Sequence, residues 1–319
     1  MWIEHDLTHL RLRNPHAATI GAFDGVHRGH QVLIGGMVAE SRARGMAPLV
    51  VTFDPLPGQL KDPHGYRLLS TLPDRLERFA ELGIQGAIVI HFDAAFMRTS
   101  ALEFATELAH NLSLRALWAG PDFRLGRGRE GDIAFLRQTG GQLGFAVRTL
   151  QDTVTWGGAP VRSSRIREAL RVADIETTNG CLGHPYRLTG IVEHGERRGR
   201  LLGFPTANLQ IDQSRLLPGN GVYVCRAYLG TATYSAITNI GTRPTFDHHP
   251  PNVEAHLLDF SGTIYGRTLH LDFLKHLRPE VRFGSVEALV RQIRIDEATA
   301  RAWFQDCEDG LDGDMVRPG

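Results

Sequence analysis

Five apolar runs of strand length, separated by stretches with helical spacing, constrain the first half of the chain more than any other feature. Residues 17–20, 49–53, 87–90, 116–119 and 146–150 each predict a strand covered on both sides. Residues 31–44, 74–81 and 101–110 predict helices, with Thr71 and Pro73 before the second and Ser100 before the third as start signals. Repeated strand–helix–strand order predicts a parallel sheet with right-handed crossovers, and ligands of such sheets sit at the carboxyl ends of the strands.

The texture changes after one more predicted helix at 163–171. Gly180, Gly183 and Pro185 mark a linker near 179–185. Beyond it, 186–193, 222–228, 234–240, 253–258 and 268–274 are β-like runs divided by Gly, Pro and Asn turns, which predicts an antiparallel barrel or sandwich. Residues 285–304 predict a final helix capped by Ser285, with Leu289, Ile293 and Ala300 on one face. The fold class is therefore α/β followed by β. The expected domains are 1–178 and 179–306, with a loose Asp/Gly-rich tail at 307–319.

A chain of 319 residues has room for two cores. Lys+Arg and Asp+Glu both number 35, and zero net charge argues against a general nucleic-acid or anionic-membrane binder. Cys181, Cys225 and Cys307 are too scattered for a disulfide framework or a zinc site. Glu4, His5, Asp6 and Arg11 interrupt any apolar signal core, and the apolar runs are too short to span a bilayer. These features predict a cytoplasmic protein, monomeric or weakly self-associating, whose partners are small molecules.

The run Gly21-Ala22-Phe23-Asp24-Gly25-Val26-His27-Arg28-Gly29-His30 sits where the first strand should turn into the first helix. Free backbone N–H groups and the positive end of a helix favour phosphate there, and the glycines let backbone approach a ligand. His27 and His30 fall on one side of the first helical turn and can donate hydrogen bonds as charge develops on phosphate oxygens. Two histidines at this spacing are also common as filler or as half a metal site. Asp122, in the glycine- and arginine-rich turn at 120–129, and Ser164, Arg165 and Arg167, at the start of a helix, can complete a nucleotide site. Each alone reads more readily as an ordinary basic turn or a capped surface helix with solvated arginines.

In the second half, a basic, glycine-containing loop at 194–203 leads to Pro205, with Thr206 and Asn208 close behind. On extended chain these two face the same way, where a hydroxyl and an amide oxygen can meet Mg²⁺ and phosphate. The other reading is a turn whose Thr and Asn bond their own backbone. Further on, Glu254, His256 and Leu258 share one strand face, opposite Val253, Ala255 and Leu257. Glu254 is a candidate general base for an alcohol, or else a solvent-facing carboxylate.

The G-x-F-D-G-V-H-x-G-H run, the G-x-D-F turn and the helix beginning Ser163-Ser164-Arg165-Ile166-Arg167 resemble the adenylyltransferase half of prokaryotic bifunctional riboflavin kinase/FAD synthetases. The R-G-R-x-L-G-F-P-T-A-N, L-P-x-x-G-V-Y, N-I-G-x-R-P-T-F, V-E-x-H-L-L-D-F, Y-G and L-R-x-E-x-x-F runs resemble the kinase half, in the correct order over 186–304. The resemblance implies a Rossmann-like nucleotidyltransferase domain followed by a six-stranded riboflavin kinase barrel, with ATP as co-substrate and Mg²⁺ assisting.

In the first domain it implies ATP contacts at Gly21, Phe23, Asp24, Gly29, Asp122, Ser164, Arg165 and Arg167, and transition-state stabilisation by His27 and His30. In the second it implies ATP contacts at Gly199, Arg200, Gly203, Thr206 and Asn208, Mg²⁺ on Thr206 and Asn208, and Glu254 as base. Flavin contacts fall on Arg278, Glu280 and Phe283. Three departures stand out. Leu56 replaces the His of a Phe-Asp-Pro-His-Pro run, Arg162 replaces a small polar residue, and Arg197 stands where Gly is frequent. A kinase alone, with the first domain kept as a nucleotide- or flavin-binding module, is the alternative.

Overall fold

A computed structural model describes residues 1–195, 199, 202–241 and 252–309. Contacts divide the chain into two units, Met1–Ser163 and Ser164–Gly319.

The first unit is built on a parallel sheet of β1 (Trp2–Glu4), β2 (His16–Ile20), β3 (Ala47–Phe53), β4 (Gly86–Ile90), β5 (Leu114–Ala119) and β6 (Ala146–Thr149), in the order β1-β4-β3-β2-β5-β6. Alternate residues of β2, β3, β4 and β5 enter opposite cores, whereas β6, expected to be covered on both faces, is an edge strand whose residues are only partly buried. Ala17, Val50, Ala87 and Ala116 pack against Leu33, Ile34 and Met37 of α1 (Arg28–Arg44) and, on α3 (Leu72–Glu81), Phe79. Ala18, Leu49, Ile88 and Leu117 pack against Phe104 and Leu108 of α4 (Ala101–Asn111) and Leu136 of α5 (Ile133–Leu143). Each such fully buried Leu, Ile or Phe stabilises the fold by roughly 1.5–3 kcal/mol. A short α2 (Pro57–Lys61) follows β3, and β7 (Thr155–Trp156) pairs with β8 (Ala159–Pro160) in a two-stranded ribbon.

The strand order reverses at β2. The chain proceeds through β3 and β4 on one side, then crosses to β5 and β6 on the other. The carboxyl ends of β2 and β5 thus flank the crevice where sheets of this kind bind ligands.

The second unit takes in most of α6 (Ser163–Arg171) and then α7 (Ile175–Leu182). Its centre is a closed antiparallel barrel of β9 (Tyr186–Glu193), β10 (Ala207–Ile211), β11 (Gly221–Leu229), β12 (Ala232–Gly241), β13 (Asn252–Leu257) and β14 (Thr268–Arg278). Closure decides between the barrel and the sandwich. The segment read as a linker is the end of α7, and Asn179 splices it to the barrel. Its amide donates to the Phe273 carbonyl (2.8 Å) and its side-chain oxygen accepts the Tyr186 N–H (2.8 Å).

The last helix, α8 (Val286–Asp309), begins with the Ser285 hydroxyl accepting the Ala288 N–H (3.2 Å). It runs beyond the expected end at 304, and its Ala300 and Phe304 pack on Val222, Val224 and Ile237 of the barrel. Cys181, Cys225 and Cys307 form no disulfide. Among the described residues, no helix is long and apolar enough to cross a membrane.

Candidate active sites

The turn after β2 adopts a conformation that few sequences tolerate. Phe23 (φ 49°) and Val26 (φ 39°) occupy the left-handed region alongside Gly25 (φ 80°). Strain of this kind costs roughly 1–3 kcal/mol per residue and persists where surrounding contacts over-determine it. Those contacts are present. The Asp24 carboxylate accepts the Leu69 and Ser70 N–H groups, both at 3.0 Å, and the Ser70 hydroxyl accepts the Gly25 N–H at 2.7 Å. The Phe23 ring is buried edge-on to His30 (5.1 Å) and Phe79 (5.5 Å). Asp24 and Phe23 therefore turn their side chains inward and shape the loop.

His27 is the N-cap of α1. Its Nδ1 accepts the His30 backbone N–H (3.4 Å), so the neutral ring carries its proton on Nε2. The two imidazoles stack with centroids 3.6 Å apart. A Cβ on Gly29 would press on the His27 ring at 3.2 Å, so Gly29 makes room for that ring. Burial, and secondarily the neighbouring His27, hold His30 well below the ordinary histidine value, which keeps it neutral. Its Nδ1 is buried with no hydrogen-bond partner among the described residues. A neutral imidazole keeps one N–H to donate, and a helix N-terminus favours an anion.

One residue of this region escaped the sequence reading. Arg75 of α3 is buried, and its guanidinium donates to the Ala22 carbonyl (3.0 Å), the Thr52 hydroxyl (2.7 Å) and the Phe53 carbonyl (3.1 Å). It ties the turn after β2 to the carboxyl end of β3. The available signal was its spacing, four residues before Phe79 on the buried stripe of the helix. Leu56 lies in the same region, fully buried in the apolar cluster under α4.

Asp122 is exposed at the carboxyl end of β5 and lines an open hollow of about 300 Å³ with Phe123, Arg124 and Arg129. Ser164, Arg165 and Arg167 stand on the first turns of α6 in the second unit. Ser163, which ends the first unit, donates its hydroxyl to the Asp24 carbonyl (3.4 Å).

In the second unit β10 lies beside β13, with Asn208 directly opposite Glu254. Val253, Ala255 and Leu257 fill the barrel, which leaves Glu254 and His256 on the outer face. The Thr206 hydroxyl donates to Glu254 Oε2 (3.4 Å). Asn252 Nδ2 donates to Glu254 Oε1 and to Asn208 Oδ1 (3.2 Å). Asn252 was not foreseen; it precedes the V-E-x-H run and follows two prolines, which read as a loop. A Cβ on Gly195 would collide with the Asn208 amide, and one on Gly199 with the Phe204 carbonyl, so both glycines permit close packing of the loop. Gly203 requires its glycine for φ 87°. Arg200 and residues 242–251 lie outside the described residues.

Two hollows meet at this cluster. One, of about 340 Å³, is lined by Thr206, Glu254, Arg278, Glu280, Phe283 and Ile293. The other, of about 370 Å³, is lined by Gly195, Thr206, Asn208, Ser261, Thr263 and Tyr265. Thr206 borders both, Glu254 the first and Asn208 the second. A carboxylate facing one molecule and a hydroxyl–amide pair facing another is an arrangement for moving a group between them. Among the described residues no three His, Cys, Asp or Glu gather as a metal cage.

A family described as FAD synthetase matches residues 10–165, and one described as riboflavin kinase matches 182–304. The chain is 38% identical over 290 residues to the bifunctional riboflavin kinase/FMN adenylyltransferase of Escherichia coli K12, covering 90% of this chain and 92% of that one. Similarity to the proteins of the same description from Pseudomonas fluorescens (37% identity, 89% and 92% covered) and Bacillus subtilis (33%, 90% and 92%) is as extensive. Among solved structures, a Streptococcus pneumoniae chain described as a macrolide-efflux protein superposes with a TM-score of 0.87 at 26% identity, covering 94% of this chain and 98% of that one.

Proposed function

Because the chain belongs to the bifunctional riboflavin kinase/FMN adenylyltransferase family, we propose that its two units perform successive steps, each with the residues assigned below. It phosphorylates riboflavin to FMN and adenylylates FMN to FAD. Matches over both halves of the chain favour this over a kinase alone.

In the kinase unit the carrying observation is the position of Thr206 between two hollows, with Glu254 on one and Asn208 on the other. Riboflavin occupies the Glu254 side, between Phe283 and the last helix, with its terminal ribityl hydroxyl toward the carboxylate. ATP occupies the side of Gly195, Thr206 and Asn208. Glu254 accepts the hydroxyl proton as that oxygen bonds to the γ-phosphorus and ADP leaves. Asn252 and Thr206 hold the carboxylate in place. The oxygen donors of Thr206 and Asn208 suit Mg²⁺, which keeps waters and phosphate oxygens as its remaining ligands and would neutralise charge on the transferred group.

In the adenylyltransferase unit an FMN phosphate oxygen attacks the α-phosphorus of ATP and pyrophosphate leaves. His27, through Nε2–H, and His30 donate to the phosphate oxygens. Gly21, Gly29 and the backbone at Phe23 and Asp24 let nucleotide approach, while the Asp24 carboxylate and Arg75 hold the loop. Asp122 contacts nucleotide at the adjacent strand end. Ser164, Arg165 and Arg167, on α6 of the second unit, offer a hydroxyl and two guanidinium groups suited to phosphate. The partners are these small molecules.

Incubation with riboflavin, ATP and Mg²⁺ followed by flavin chromatography tests the assignment. FAD is expected. FMN alone supports the kinase-only reading, and unchanged riboflavin contradicts both.

A further inference from the structure

Arg278, which the resemblance assigns to flavin, is already engaged. Its Nε lies 3.0 and 3.1 Å from the two carboxylate oxygens of Asp296, and one terminal nitrogen donates to Oδ2 at 2.7 Å. Gln292 donates to the same carboxylate at 2.9 Å. Asp296 is a buried charge, 5% exposed, on a helix whose neighbouring positions Ile295 and Glu297 are not buried. A carboxylate is removed from water at such a place only when charge-assisted hydrogen bonds compensate it, and a forked guanidinium does so with a defined orientation. The Arg278 guanidinium also sits 5.8 Å over the Phe283 ring.

The pair joins two walls of one hollow. Arg278, Glu280, Val281 and Phe283 come from the segment that leaves β14, while Leu289, Ile293 and Asp296 come from α8. The residues between the walls, 279–285, have no regular secondary structure to set their spacing.

We propose that Asp296 is a positioning residue of the kinase site. By fixing Arg278 it sets the distance between α8 and the Phe283 segment, and so the width of the slot that receives the flavin ring, without touching ATP or the transferred phosphoryl. The proposal rests on the reading that this hollow takes riboflavin. Arg278 then acts through Asp296 rather than as a free flavin ligand.

The test uses the full chain and steady-state FMN formation, with KM for riboflavin and for ATP determined separately. Asp296→Ala is expected to raise the riboflavin KM by about tenfold or more, to leave the ATP KM and kcat within about threefold, and to spare FAD formation from supplied FMN. Asp296→Glu should restore most of the riboflavin KM, since it keeps the charge. Asp296→Asn, which keeps the shape, should fall between. A riboflavin KM within twofold of wild type in Asp296→Asn and Asp296→Ala, or parallel losses toward both substrates without rescue by Glu, overturns the proposal. Ile293→Trp, which fills the slot, separates the two levels. If it leaves the riboflavin KM unchanged, the hollow is not the riboflavin site and the underlying reading fails. If it raises that KM while Asp296→Ala does not, only the role of Asp296 fails.

Discussion

The Thr206 hydroxyl donates to the Glu254 carboxylate across 3.4 Å, linking the residue that borders both hollows of the site to a carboxylate on the riboflavin side. The contact runs from the residue before β10 to β13, and Asn252 completes it by bonding both Glu254 and Asn208. Orientation of the carboxylate thus depends on a neighbour that touches neither substrate in the proposed scheme.

Asn252→Ala is therefore expected to lower kcat for FMN formation by roughly tenfold to a hundredfold, the cost of losing orientation at a reacting group. Asn252→Asp should be worse, because it places a second negative charge beside Glu254. Steady-state kinase assays read both, and an unchanged kcat in Asn252→Ala contradicts the orienting role.

His27→Ala removes a transition-state donor, expected to cost about 10²–10³ in adenylyl transfer. It also removes the α1 cap, which is worth about 1 kcal/mol of stability. FAD formation from FMN should fall while FMN formation from riboflavin continues. Equal loss of both activities would instead point to global damage.

Leu56→His installs the residue that the resemblance places there. Leu56 is 0% exposed and packs in the cluster under α4, so an imidazole at this position is buried without a partner built for it. Burial of an unpaired polar group costs roughly 1–3 kcal/mol by protein mutational measures. The variant should melt at a lower temperature without forming FAD faster. A several-fold gain in FAD formation would show that the site lacks a donor.

His30 gives a pH signature. Its folded value lies well below the ordinary 6.5, so at acid pH the unfolded chain binds a proton that the native state does not. The contribution to stability is full above 6.5 and is lost as pH falls from there toward the lowered folded value. Denaturant midpoints measured between neutral pH and about pH 5 should drop more steeply for wild type than for His30→Gln. His16 and His276, also lowered by burial, leave some acid sensitivity in both proteins. Parallel slopes would contradict a buried neutral His30.

The elements that were legible in advance are those whose residues bury in a simple rhythm. Four of the five expected strands of the first unit follow continuous apolar runs, while the fifth, β6, carries Arg148 and is only partly buried at the sheet edge; α3 and α4 follow Thr71 and Ser100, both of which cap with reciprocal side-chain bonds. What escaped lacks that rhythm. α5 carries Gly140 and Gly141, and α7 carries Thr177, Thr178, Asn179 and Gly180, so propensity argues against both and tertiary packing decides. β10 begins inside the P-T-A-N run, and its first two residues, Ala207 and Asn208, read as a motif rather than as a strand. Site residues followed the same division. Glu254, Thr206 and Asn208 announced themselves through residue type, and the structure brings them together. Asn252, Arg75 and Asp296 act through partners 2, 53 and 18 positions distant, a relation that only the folded chain displays.

The account stands most directly on separability of the two activities at Glu254. Glu254→Gln keeps the size of the side chain and removes its basicity. In paired assays on one preparation, riboflavin with ATP and Mg²⁺ should yield FMN at least about 10²-fold more slowly, the lower range for loss of a general base. FMN with ATP and Mg²⁺ should still yield FAD at the wild-type rate. FMN formation within a few-fold of wild type, or FAD formation lost in proportion, would contradict the account.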